Sequence, residues 1–122
     1  MVSIKKSALV LYSREEMFSL VDSVEDYPNF LPWCGGTEVI KKSTKITKAS
    51  ININYRGVKQ TFTTENNKSF AEKMVIKLIN GPFKELSGEW RFKALDKNAC
   101  RIELELHYKF SNIILEKLRS KF

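Results

Sequence analysis

Ala49-Ser50-Ile51-Asn52-Ile53-Asn54-Tyr55-Arg56-Gly57-Val58-Lys59-Gln60-Thr61-Phe62 reads as two strands joined by a tight turn. Ala49, Ile51, Ile53 and Tyr55 fall on one phase and Ser50, Asn52 and Asn54 on the other, the period of a half-buried strand. Arg56-Gly57 interrupts the pattern, and alternation resumes with Val58, Gln60 and Phe62, which makes a hairpin. The same period returns in Phe70, Glu72, Met74, Ile76, Leu78, then in Trp90, Phe92, Ala94, and again in Cys100, Ile102, Leu104, Leu106, Tyr108. Turn signals at Lys42-Ser43-Thr44-Lys45, Asn66-Asn67-Lys68, Asn80-Gly81-Pro82 and Asp96-Lys97-Asn98 separate these segments by hairpin-length gaps. From Thr37 onward the expectation is therefore an antiparallel meander of six strands.

Upstream, Ser3 to Val10 reads as another strand. Ser13 with Glu16 three residues later forms a capping box that opens a helix whose buried face is Met17, Phe18 and Val21. A short helical turn over Val24 to Tyr27, capped by Ser23, delivers the chain into a loop, Tyr27-Pro28-Asn29-Phe30-Leu31-Pro32-Trp33-Cys34. Its two prolines oppose a regular helix and hold aromatic groups without ladder hydrogen bonds. After Ser111 the spacing of Ile114, Leu115 and Leu118 returns to a helical period. One sheet face is apolar and only helices are available to cover it, which makes the fold class α+β, a single domain over residues 1–122.

Composition and charge narrow the field. The chain of 122 residues carries a formal charge of +7, which favours anionic partners without choosing between phospholipid and nucleic acid. No apolar run reaches the roughly 18 residues that span a bilayer, and no signal-peptide core follows Met1, so the expectation is a soluble, intracellular protein. Cys34 and Cys100 form no CxxC pair and are expected as free thiols.

Catalytic chemistry finds little material. The one histidine, His107, falls on the polar phase of its strand beside Glu105 and Lys109, so a base for a Cys34 nucleophile is not in prospect. One histidine and two distant cysteines give no zinc spacing, and Gly35-Gly36 matches no phosphate loop. Glu72 is a carboxylate on an apolar phase, open as a contact for a polar ligand head group but read in preference as sitting near a strand end, where water reaches it. Phe30, Leu31, Trp33, Phe62, Phe70, Met74, Phe83, Trp90 and Phe92 fall on the concave side, with Pro32 stiffening the loop. Alternation alone leaves them open as solid core or as the wall of an apolar cavity.

Tyr27-Pro28-x-Phe30-Leu31-Pro32-Trp33-Cys34, followed by Gly81-Pro82-Phe83-Lys84-x-Leu86 and Trp90-x-Phe92, resembles the signature of the coenzyme Q-binding and RatA-like branch of the START-related (polyketide cyclase/dehydrase and lipid transport) superfamily. The resemblance spans nearly the whole chain. It implies a helix-grip fold, a curved antiparallel sheet wrapped around a C-terminal helix, with an elongated apolar cavity between them. It also implies ubiquinone or a similar isoprenoid lipid bound without conversion and with no cofactor. Phe30, Leu31, Pro32, Trp33, Phe62, Phe70, Met74, Phe83, Trp90 and Phe92 would then form wall and gate.

Relatives usually carry a longer final helix, whereas Ser111 to Phe122 offers about 18 Å, a length that would leave the cavity partly open or closed by self-association. Lys41, Lys42, Lys45 and Lys48 occupy one hairpin with no acid among them. They read either as a solubilising tip or as peripheral contact with an anionic membrane, in the cytoplasm or, in a eukaryote, on the matrix side of the mitochondrial inner membrane. The RatA-like resemblance adds a second reading, a toxin that binds the ribosome and blocks subunit association. A cyclase acting in the same cavity lacks an acid-base pair.

Overall fold

The structure, a computed structural model, describes residues 2–111; the expected terminal helix with Ile114, Leu115 and Leu118 lies outside the described residues. Strand β1 (Val2–Val10) is followed by helix α1 (Arg14–Asp22), a 3₁₀ turn (Val24–Asn29), and strands β2 (Cys34–Lys42), β3 (Ile46–Tyr55), β4 (Val58–Ser69), β5 (Lys73–Asn80), β6 (Phe83–Asp96) and β7 (Ala99–Phe110). They form one seven-stranded sheet in the order β1-β7-β6-β5-β4-β3-β2. The six-strand meander is as expected, and β1 adds to its far side by pairing antiparallel with β7, Val2 opposite Tyr108 through Val10 opposite Cys100.

Local chemistry explains most element ends. The Glu16 backbone N–H donates to Ser13 Oγ (3.1 Å) and the Glu16 carboxylate accepts from the Ser13 backbone N–H (3.3 Å), the reciprocal cap expected for α1. Arg56 and Gly57 both take positive φ, 49° and 81°, which matches the twist of the flanking strands in a two-residue hairpin turn.

Three expectations need correction. Asn66-Asn67-Lys68 is not a turn: β4 runs on to Ser69, Asn66 pairs with Thr47 and Ile76, and the chain reverses at Phe70–Glu72, with Ala71 at φ 61°. Continued ladder pairing of Asn66 on both sides and the bond from Lys68 to Asp22 outweigh their local turn preference. Phe70 and Glu72 therefore leave the strand face they were assigned to, and only Met74, Ile76 and Leu78 keep it. The helical turn after α1 runs to Asn29 with Pro28 inside it, and the Ser23 hydroxyl donates to the Ser19 carbonyl (2.7 Å) instead of capping it. Finally, β2 begins at Cys34 and not at Thr37, with a register shift between Cys34 and Gly36.

The inner face packs in three clusters. Val24, Cys34, Ala49 and Ile51 are buried under the 3₁₀ turn. Phe18, Met74 and Phe92 are buried where α1 meets β5 and β6. Tyr108 and Phe110 gather Val2, Ile4, Val58 and Phe83 at the other end of the sheet. On the outer face Arg91 reaches Glu89 (2.9 Å), Glu103 (3.1 Å) and Glu105 (3.4 Å). Partial desolvation works to raise the Glu105 pKa, and the nearby positive charges of Lys5 and Arg91 outweigh it, so the group sits below its ordinary value.

One polar tie holds α1 onto the sheet. Asp22, at the helix end and 8% exposed, accepts from Thr47 Oγ1 at Oδ1 (2.7 Å) and from Lys68 Nζ at Oδ2 (2.8 Å). The Lys68 side chain is 3% exposed. Removing one partner leaves the other charge buried and alone, whereas replacing both with apolar groups does not. Asp22→Ala is expected to cost roughly 3–5 kcal/mol in urea denaturation, and Asp22→Leu with Lys68→Met to recover most of that loss; equal losses in single and double variants would show that the pair is not the source. Gly88 stands opposite Leu106, and a Cβ there would collide with the Glu105 carbonyl oxygen and lie 3.1 Å from the Leu106 Cα. Gly88→Val is accordingly expected at the upper end of the roughly 1–3 kcal/mol cost of overpacking, read as a lowered melting temperature.

Candidate functional site

Residues directly opposite each other in an antiparallel ladder share a face, so the register defines what the concave side presents. Ile51 stands opposite Phe62, Thr64 opposite Leu78, and Asn66 opposite Ile76. Met74 faces Trp90, Trp90 faces Leu104, and Gly88 faces Leu106. Phe62, Ile76, Leu78, Trp90, Leu104 and Leu106 are each half-buried and cross β4 to β7 as one apolar strip between the packed clusters.

The residues expected to form wall and gate divide into groups. Met74 (0% exposed) and Phe92 (3%) are core: Phe92 meets Phe18 edge to face at 5.4 Å beneath α1. Trp90 stacks on Phe92 at 6.4 Å and belongs to the strip. Phe83 opens β6, where it stacks on Phe110 at 4.8 Å and meets Phe62 edge to face at 5.4 Å. That places Phe83 in an aromatic packing unit and not at a loop tip. Leu31 and Trp33 pack against the cluster under the 3₁₀ turn, while Pro32 is exposed. Phe30 is 54% exposed and lies edge to face with Tyr27, and Phe70, also 54% exposed, leans on Phe18 from the β4–β5 turn. The last two thus sit outside the strip, Phe70 because the turn shifted under it.

Tyr27 anchors the proline-rich segment: its hydroxyl donates to the Val21 carbonyl, and burial, reinforced by the charges of Asp22 and Glu25, pushes its pKa well above the usual phenol range. It is a fixed donor at any working pH.

The inner face also carries polar groups that the alternation contained and that were passed over. Continuing the phase of Gln60 and Phe62 along β4 gives Thr64, Asn66 and Lys68, and Thr47 on β3 stands opposite Asn66. Thr47 is 1% exposed, and the Asn66 Oδ1 is buried with no hydrogen-bond partner among the described residues. Reading Asn66-Asn67-Lys68 as a turn hid this stripe; unbroken period two from Val58 to Lys68 was the signal for it.

Of the four hairpin lysines, Lys42 is tied to the end of α1 while its side chain stays 38% exposed. Its Nζ donates to the Asp22 carbonyl (3.2 Å) and lies 3.7 Å from Glu25, so it is spent within the fold. Lys41 stands directly across from Lys48 on the outer face, and Lys45 is exposed at the turn. Cys34 lies in the cluster at the β2 end of the sheet, whereas His107, on β7, meets the Ser3 hydroxyl (2.9 Å) and Glu105 (3.5 Å) on the outer face. Cys34 and His107 therefore do not come together. Among the described residues no group of three or more His, Cys, Asp or Glu side chains is placed to hold a metal, and no helix is long and apolar enough to cross a membrane.

Comparison with known proteins adds to this geometry. Residues 10–122 match the family described as polyketide cyclase / dehydrase and lipid transport. Ribosome association toxin RatA of Escherichia coli (strain K12) is 39% identical over 116 residues, covering 95% of this chain and 73% of the relative. The mitochondrial coenzyme Q-binding protein coq10 of Schizosaccharomyces pombe is 25% identical over 126 residues, covering 97% of this chain and 74% of the relative. A solved START superfamily protein from Mycobacterium smegmatis superposes with a TM-score of 0.78 at 16% identity over 98% of this chain and 87% of its own, which shows the shared helix-grip fold. With the curved seven-stranded sheet, the concave apolar strip and these matches together, the chain belongs to the polyketide cyclase / dehydrase and lipid transport family.

Proposed function

We propose that this protein binds ubiquinone or a similar isoprenoid lipid along the concave strip and delivers it unchanged, in support of respiratory electron transfer or quinone biosynthesis. The observation that carries the reading is the strip itself. Phe62, Ile76, Leu78, Trp90, Leu104 and Leu106 form a continuous half-buried apolar surface on a rigid sheet, suited to a flat ring and a long tail. The relative named for coenzyme Q binding supports the choice of ligand class. Among the residues expected as wall and gate, Phe62 and Trp90 contact the lipid, Leu31 and Trp33 close one end, and Met74 and Phe92 back it. Loading takes place at an anionic membrane surface in the cytoplasm, with Lys41, Lys45 and Lys48 as the outward cations, each worth about 1 kcal/mol near such a surface.

A second reading is favoured by a separate observation: the RatA relatives, named for ribosome association, are 37–41% identical to this chain in four of the bacterial species compared, above the 25% of the coenzyme Q-binding relative. The +7 charge and the Lys41–Lys48 pair would serve phosphate contact. Salt-sensitive co-sedimentation with a ribosomal subunit supports that role, and its absence at low salt counts against it.

The carrier reading is tested by purifying the protein from cells that make ubiquinone, extracting it with organic solvent, and measuring lipids by mass spectrometry against an unrelated basic protein. Roughly stoichiometric quinone is expected. Leu78→Trp, which fills the strip at an overpacking cost of about 1–3 kcal/mol, is expected to remain folded and lose most of that quinone; an empty extract from folded wild-type protein sinks the reading.

A further inference from the structure

The end of β1 and the β6–β7 hairpin meet at one corner of the sheet, because Val10 and Ala94 stand on either side of Cys100. Leu9, Leu11, Tyr12 and Leu95 are all exposed at that corner, Leu11 at 85%. Leu11 follows Val10 and Leu95 follows Ala94, so the two sit on strands about 10 Å apart with only the start of β7 between them. Single exposed apolar side chains are ordinary on a protein surface, whereas a group of them at one place marks a contact with a partner or a membrane. At the opposite end of the strands, the Arg56-Gly57 and Gly81-Pro82 turns carry no exposed large apolar side chain, and Phe30 lies edge to face with Tyr27.

Charge accompanies the apolar group. Leu9 stands directly opposite Arg101 and Arg101 directly opposite Lys93, so one outward row runs from a leucine to two cations. Lys97 is exposed in the hairpin turn beside them. Among the described residues Lys93, Lys97 and Arg101 make no ion pair, whereas Arg91 on the neighbouring outward row is taken by Glu89, Glu103 and Glu105. The acids at the corner are Asp96, which accepts from the Lys97 backbone N–H (2.7 Å), and Glu15, which lies 3.6 Å from Arg14. Positive charge is therefore in excess around the exposed leucines.

We propose that this corner docks the protein onto an anionic lipid bilayer, with Leu11, Tyr12 and Leu95 entering the head-group region and Lys93, Lys97 and Arg101 meeting lipid phosphates. The inference rests on the carrier reading for its purpose and names the surface that meets the membrane. Aliphatic groups gain by leaving water at the acyl boundary, each nearby cation adds attraction to anionic heads, and a tyrosine suits an interface with one apolar and one wet end. A stable protein interface buries about 800 Å² on each partner, more than three leucines and a tyrosine on two neighbouring tips can supply. A nucleic-acid backbone uses the cations but leaves the leucines in water, whereas an anionic bilayer uses both. The β2–β3 turn with Lys45 lies at the same end of the strands as the β6–β7 turn, so its cation approaches the same bilayer.

The test is flotation of the full chain with vesicles of phosphatidylglycerol and phosphatidylethanolamine in equal parts, and with vesicles of phosphatidylcholine alone. Wild-type protein is expected to float with the anionic vesicles and not with the neutral ones. Leu11→Ser with Leu95→Ser is expected to weaken that binding about tenfold or more, and Lys93→Gln with Arg101→Gln to do the same, with melting temperatures unchanged because all four side chains are exposed. Binding that is equal for both vesicle types, or that survives the leucine substitutions, overturns the proposal. Self-association that the leucine substitutions abolish, without vesicle binding, overturns it in favour of a second copy of the chain. Protein that yields quinone on extraction but floats with neither vesicle overturns the docking surface and leaves the carrier reading intact. Protein that floats through this corner but yields no quinone supports the docking surface and sinks the carrier reading.

Discussion

A seven-stranded antiparallel sheet has two faces, and here one of them is largely apolar, interrupted by Thr47, Thr64, Asn66 and Lys68, and must be kept from water. The described structure is organised around that demand. Helix α1 and the 3₁₀ turn are short, nine and six residues, and they are placed over the β2–β3 and β5–β6 parts of the face, where Ala49, Ile51, Met74 and Phe92 are fully buried. At the opposite end, Tyr108, Phe110 and Phe83 close the face with their own rings. The half-buried strip lies between these two packed regions. Among the described residues, its position is therefore a consequence of how far the covering elements reach.

The buried ion pair is the counterpart of this arrangement. Helix α1 rests on the sheet through Phe18, whose contacts with Phe70 and Phe92 are apolar and tolerate sliding, and through Asp22, whose bonds to Thr47 and Lys68 do not. A charge pair in this setting is weak evidence for stability, because desolvation offsets most of its attraction. Its geometric specificity is the stronger effect: it fixes the end of α1 against β3 and β4, and it holds Lys68 buried on the strand position opposite Met74. The same residue, with Glu25, tethers Lys42 through its carbonyl and carboxylate, which is why one of the four hairpin lysines already has acidic partners within the fold.

Membership of the family does not by itself assign a task, since relatives on one fold bear names for ribosome association and for coenzyme Q binding. The two sides of this sheet differ physically. The apolar strip lies on the concave face, whereas Lys41 and Lys48 face each other across a strand pair on the outer face, at some cost from like-charge repulsion. The two proposed readings thus draw on different surfaces, and perturbing one surface need not disturb the other.

Much of the architecture was legible because a strand announces itself every second residue. Ile51, Ile53, Phe62, Met74, Phe92 and Tyr108 all lie on the face that alternation assigned to them, and the capping box at Ser13 and Glu16 marked the start of α1. The Asn66-Asn67-Lys68 segment failed for the converse reason. Local preference favours a turn there, but partners contributed by distant strands and by α1 override it, and with that error went Phe70, Glu72 and the entire polar stripe. The site was half visible in the same way: Phe62 and Trp90 could be read from phase, whereas Asp22 reaches Thr47 and Lys68 across 25 and 46 residues. Sequence by itself determined the strand periods, the helix start and the family signature, because these are encoded within a few neighbouring residues. Tertiary structure alone decided that β1 pairs with β7, that Lys42 is spent internally, and that Asn66 is buried without a donor, because each depends on which remote segments the curved sheet brings together.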